Sequence, residues 1–226
     1  MSASAAEFDQ PWHDANVALI LDAFVDNLIN WDQLKTESRV IAIIHKSTIG
    51  TSQLDKGYFA RKAEAKNRGY LWGSYHWGIS GNPAQQAEHY IDTVKPAADE
   101  LIALDLEDAT SNNLMNAQEA LVFIKRIKEL TGRYPVLYTN HSSAKLISSE
   151  FQNTDFARTP LWYARFKEKV TDFPTGVWQS YTLWQFSSEI LKQMPVSGTQ
   201  SDMDINVFNG SVGELKAKWP LTTVGP

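Results

Sequence analysis

LIALDLEDAT, residues 101–110, runs four apolar side chains, Leu101 to Leu104, straight into Asp105, Glu107 and Asp108. The apolar part is too short for a helix and has the length of a strand. Its unbroken apolar character suits a strand covered on both faces, as in a parallel sheet. In such sheets the C-terminal strand ends carry the chemistry, and here that end is acidic. Seven further runs have the same build: VALILD (17–22), VIAIIHKS (40–47), LWGSYHW (71–77), PVLYTN (135–140), PLWYARF (160–166), TLWQFS (182–187) and MDINVF (203–208).

Helical patterns fill the earlier gaps. Asp55–Arg68 stops at Gly69, and Pro83–Val94 opens with proline in the first turn. Asn116–Leu130 places Ala120, Phe123, Ile124, Ile127 and Leu130 on one face before Gly132. His141–Phe151 is a weaker candidate. After residue 160 the connections EKVTDFPTGVWQSY and SSEILKQMPVSGTQSD read as loops. The expected fold is therefore α/β: an irregular TIM-like barrel of about five β/α units followed by three strands. An open doubly wound sheet is the alternative, but no GxGxxG or GxxxxGK[ST] loop supports it. Residues 1–15 are expected to form a loose N-terminal arm, 16–219 a single catalytic barrel domain, and 220–226 a tail.

The totals agree with one globular domain. The chain has 226 residues, 43% hydrophobic and 21% charged, with a net charge of −5. No Lys/Arg run suggests a nucleic-acid partner. There are no cysteines, which excludes disulfides, thiolate zinc sites and a Cys nucleophile. None of the five histidines forms HxH or HExxH, so no metal is expected. No GxSxG marks a serine nucleophile. No apolar run reaches the ~20 residues of a membrane helix, and MSASAAEFDQPWHDAN lacks the features of a signal peptide.

Asp105 and Glu107 lie two apart on one strand, so both point to one face with Cα atoms roughly 6.6 Å apart at ~3.3 Å per residue. Two close carboxyls cannot both ionise freely, and one held protonated near neutrality can act as a general acid. Asp22 ends the first run and Asp204 opens the last, so barrel closure brings both to the same rim. A plainer reading is that the acids cap a helix or pair with Lys46 or Arg165. Against it stand the aromatics at other strand ends: Tyr75, His76 and Trp77, then Tyr138, Trp162, Tyr163 and Trp184 beside Gln185. Carboxylates ringed by flat side chains suit a glycosidase cleft. His45 and His76 read as hydrogen-bonded rim residues.

These pieces, in order, resemble glycoside hydrolase family 25, the Chalaropsis-type lysozymes or N-acetylmuramidases, over about residues 17–210. The matching stretches are Asp22, Asn30-Trp31, KSTIGTSQLDKGYFARKAEAKNRGYLWGSYHW, LDLE, TGRYPVLYTN, LWYARF, LWQFS and MDINVF. The resemblance implies cleavage of the β-1,4 bond between N-acetylmuramic acid and N-acetylglucosamine in peptidoglycan. It implies Glu107 as general acid/base, Asp105 as its assistant, and Asp22 and Asp204 as the rest of an acidic rim. Tyr75, Trp77, Tyr138, Trp184 and Gln185 are the expected sugar contacts, and no cofactor is expected. The first strand departs from the family's D-x-S-x-x-Q: Phe24 replaces the Ser, Asn27 the Gln, and Asp26 is an extra acid. A glycan-binding barrel without catalysis, or a glycosidase of another N-acetylhexosamine polymer such as chitin, are the competing functions. The expected partner is the peptidoglycan strand, met by a monomer at the cell wall, outside the cell or in the periplasm. A holin or a secretion apparatus is the expected delivery partner, with no membrane insertion.

Overall fold

The computed structural model describes residues 7–188, 194–200 and 202–222. In chain order the strands are β1 (Phe8–Asp9), β2 (Val17–Ala23), β3 (Val40–Ile49), β4 (Gln53–Leu54), β5 (Leu71–Trp77), β6 (Leu101–Leu106), β7 (Val136–Asn140), β8 (Leu161–Ala164), β9 (Lys169–Val170), β10 (Leu183–Ser187) and β11 (Asp204–Ser211). The α-helices are α1 (Trp31–Leu34), α2 (Tyr58–Asn67), α3 (Pro83–Val94), α4 (Ala117–Thr131), α5 (His141–Glu150) and α6 (Val212–Lys218). Each of the eight apolar runs is a strand of one closed barrel. The order is β2-β3-β5-β6-β7-β8-β10-β11, with β11 pairing back to β2. All neighbours are parallel except at β11, which runs antiparallel to both β10 and β2. The antiparallel return from β10 to β11 needs no helical crossover, whereas the parallel step from β8 to β10 is made by residues 165–182, which carry only the short β9 and no α-helix.

The strand period of two separates two cores. One parity points into the barrel: Ala18 and Ile20, Ala42 and Ile44, Leu101 and Ala103, Val136, Trp162, Leu183 and Phe208. Gly73 belongs to this layer, because a Cβ there would meet Leu101 Cβ at 3.0 Å. The other parity meets the helices, as with Ile102 and Leu104 against Phe123 and Ile127. Helix α4 starts with a capping box between Asn116 and Glu119 and ends at Gly132, whose φ is 73°.

Three expectations need correction. Residues 7–15 are not a loose arm. Phe8–Asp9 pairs antiparallel with Lys169–Val170, and Trp12, 1% exposed, stacks on Phe186 with ring centroids 4.0 Å apart. The cause is the missing helix outside β10: its outward Trp184 and Phe186 need a cover, and the N-terminal segment supplies it. Second, α6 was not foreseen, although SVGE (211–214) is a capping-box pattern and forms one. Its Leu215, with Trp219 and Leu221, closes the end of the barrel opposite the acids, so the start of the expected tail is packed. Third, His45 and His76 are not rim residues. Both are fully buried outside the barrel, His76 between Thr48 and Gln86, His45 bonded to the Lys46 carbonyl. Residues 1–6, 189–193, 201 and 223–226 lie outside the described residues.

Candidate active site

The inward parity that is apolar through most of the barrel turns polar at the C-terminal strand ends. Continuing Ala18 and Ile20 gives Asp22, and continuing Leu101 and Ala103 gives Asp105. The same step gives Tyr75 on β5, Tyr138 on β7 and Gln185 on β10. Strand β11 runs the other way, so its first residue, Asp204, reaches this end and sits directly opposite Asp22 in register. Glu107 follows the last residue of β6. These side chains and Trp162 line one pocket. A larger cavity of about 190 Å³ beside Met194, Val196, Met203 and Ile205 carries no ionisable side chain among its described lining residues, so it offers no acid–base chemistry.

The floor is held by hydrogen bonds. Tyr138 Oη donates to Gln185 Oε1 at 2.8 Å, and Gln185 Nε2 donates to Asp22 Oδ2 at 2.8 Å. Trp162 Nε1 donates to Asn206 Oδ1 at 2.5 Å, and Asn206 Nδ2 donates to the Ile20 carbonyl. Tyr138 and Tyr75 meet the Trp162 ring edge-on, at 5.0 and 6.2 Å between centroids. Trp162 is 1% exposed, so it is a floor rather than an open platform.

The carboxyls raise one another. Burial is the main cause at Asp22, followed by the nearby charges of Asp204 and Asp105; the Gln185 bond opposes them, and the net direction is well upward. Asp105 is also raised, by burial and then by Glu107, with Lys46 pulling it down. Glu107 is raised by burial. Asp105 Oδ1 is buried with no hydrogen-bond partner among the described residues. Burial and mutual repulsion therefore keep protons on these carboxyls to higher pH than free carboxyls would hold them, the direction acid catalysis requires.

Neither acid of the pair forms a contact ion pair with Arg165 or Lys46 among the described residues, although the Lys46 charge still acts on Asp105 at longer range. Arg165 pairs with Asp172 at 2.8 Å, away from the acids. Lys46 Nζ lies over two rings, 4.4 Å from the Phe24 centroid and 5.0 Å from that of Trp77. Asp108 caps its own loop by accepting from the Thr110 amide and hydroxyl.

The sequence model of the family described as Glycosyl hydrolases family 25 matches residues 23–193. The chain belongs to this family. It is 30% identical to the N,O-diacetylmuramidase of Chalaropsis sp over 193 residues, 77% of this chain and 85% of that protein. It is 27% identical to lysozyme M1 of Streptomyces globisporus over 207 residues, 84% of this chain. That match spans 66% of the relative, just under two thirds of its length. The crystal structure of the bacterial lysozyme from Streptomyces coelicolor superposes with a TM-score of 0.76 at 25% identity, covering 90% of this chain and 97% of that one.

Within this family-25 barrel most of the expected site residues come together: Asp22, Tyr75, Asp105, Glu107, Tyr138, Gln185 and Asp204. Two do not. Trp184 is fully buried on the outer face, where its Nε1 donates to the Arg165 carbonyl and Trp12 packs against its ring. It cannot touch a sugar, because its neighbour Gln185 takes the inward position. Trp77 stands beside the pocket under Lys46 rather than in its lining. Asp26 is exposed and outside the pocket, so Asp22 is the acid that β2 presents. Asn27 is structural: it accepts from the Phe24 amide and donates to Asp202. Trp162, expected among the ringing aromatics, forms the floor, and Asn206 beneath it is a floor residue not singled out from sequence. Its signal was parity alone, since Asn206 lies two residues from Asp204.

Proposed function

We propose that this chain is a peptidoglycan hydrolase that cleaves the β-1,4 bond between N-acetylmuramic acid and N-acetylglucosamine, with Glu107 as general acid/base and Asp105 as its assistant. The observation that carries the reading is that Asp105 and Glu107 line one pocket with Asp22 and Asp204, at the barrel end where such folds place their chemistry. The names of the relatives support the substrate class.

Glu107 protonates the glycosidic oxygen as the bond breaks. The neighbouring carboxylates stabilise the positive charge that develops on the sugar ring. Asp105, with one oxygen unbonded in the pocket, orients the 2-acetamido group, whose oxygen attacks the anomeric carbon in a substrate-assisted step. Glu107 then accepts a proton from the incoming water. Tyr75 and Tyr138 offer ring surface to the sugar, and Gln185 ties Tyr138 to Asp22. The enzyme acts at the cell wall. No helix among the described residues is long and apolar enough to cross a membrane.

Product analysis tests this. Digested peptidoglycan is expected to gain reducing ends at muramic acid, released first as the β-anomer. Initial α-anomer would contradict the substrate-assisted route. Cleavage of chitin oligosaccharides with none of peptidoglycan would move the substrate to the other polymer.

A further inference from the structure

Glu107 has a positioning problem. The β6–β7 ladder ends at Leu106 opposite Thr139, so Glu107 stands one residue beyond the last strand pair. No donor among the described residues bonds its carboxyl. A donor there would favour the charged form and cost the acid its proton. Yet an acid must be held close to its productive geometry to act.

The main chain around Glu107 is stapled instead. Thr139 Oγ1 donates to the Leu106 carbonyl at 2.8 Å, and Asn140 Nδ2 donates to the Glu107 carbonyl at 2.6 Å. Two residues on, the Ala109 amide donates to Ser143 Oγ at 3.0 Å. Asn140 also caps α5, its Oδ1 accepting from the Ser143 amide at 3.0 Å. One side-chain orientation satisfies both of its bonds, so the start of α5 and the carrier of the acid are locked to one amide group. We propose that Asn140 is a positioning residue for Glu107: it fixes the acid through the main chain and leaves the carboxyl free to give and regain its proton.

This inference rests on Glu107 being the acid, and the test separates the two. Asn140→Ser keeps a helix cap but cannot span the gap to the Glu107 carbonyl. It is compared with wild type, Glu107→Gln and the double variant, by reducing-end release from purified peptidoglycan and by Tm. The expected result for Asn140→Ser is a kcat about tenfold lower or worse, on the scale where a ~1 Å misplacement costs about 10²-fold. KM and Tm stay near wild type. In the Glu107→Gln background the same change costs nothing further, because the acid it positions is gone. If Asn140→Ser melts early, Asn140→Asp replaces it, keeping the shape and the cap while losing the donor. An equal fold-loss in both backgrounds overturns the inference, as does wild-type kcat in a folded Asn140→Ser. Full activity in Glu107→Gln overturns the reading beneath it and the inference with it.

Discussion

Asp105 sits between opposing influences, and each can be removed. Asp204 adds a like charge that resists its ionisation, while Lys46 favours it. The mechanism needs Glu107 protonated and an ionised assistant, which gives a bell-shaped pH profile whose limbs belong to the coupled ring of acids. Lys46→Met removes the cation, so Asp105 holds its proton to higher pH and the acid limb of kcat/KM moves up. Asp204→Asn removes a like charge, so the limb moves down, on top of a lower maximum. Opposite shifts are the expected outcome, and shifts in the same direction would contradict this assignment. Asp105 was legible from sequence because alternation on a strand has one meaning, and Glu107, expected on the same strand, lies just past the end of β6 but still lines the same pocket. Trp184 was misread against the same rule. It and Gln185 are adjacent, so only one of them can face the pocket, and the polar residue takes it.

The eight strands were readable because each run is short, apolar and β-branched or aromatic, and bounded by polar residues. The helices from α2 to α5 followed from periodicity and from Gly69 and Gly132. The N-terminal segment was not readable, because its partner is 174 residues away at Phe186 and nothing local announces the contact. A strand with bulky outward residues and no following helix is nevertheless a surface in need of a cover. Trp12→Ala should cost about 3–5 kcal/mol, the usual scale for a buried Trp. Denaturant unfolding measures this, and activity per folded molecule should hold, since Trp12 packs on the outer face of β10 and does not line the pocket. A change in KM without a stability loss would contradict a purely structural role.

The molecule spends stability on its acidic end. A carboxyl whose folded value is raised binds its proton more tightly folded than unfolded. Its penalty is absent below the ordinary value of 3.8 for Asp22 and grows as pH rises through the raised one. Asp22→Asn should therefore melt higher than wild type at pH 7, at about 2–4 °C per kcal/mol for a chain of this size. The difference should close below pH 4. His45 and His76 work in the opposite sense. Burial lowers each from 6.5 to about 4, so both weaken the fold as pH falls through that window and they are forced to take up protons. Comparing the variant with wild type at each pH cancels the histidines and isolates Asp22. A gain that persists unchanged at pH 3 would contradict the electrostatic explanation. Such a penalty is expected where a site is built for chemistry rather than for stability.

The most direct test of the account is the rate at which purified peptidoglycan gains reducing ends with wild type and with Glu107→Gln. The account predicts muramic-acid ends from the wild type and a loss of about 100-fold or more in a folded variant, within the range for removing a general acid. Equal rates would contradict it.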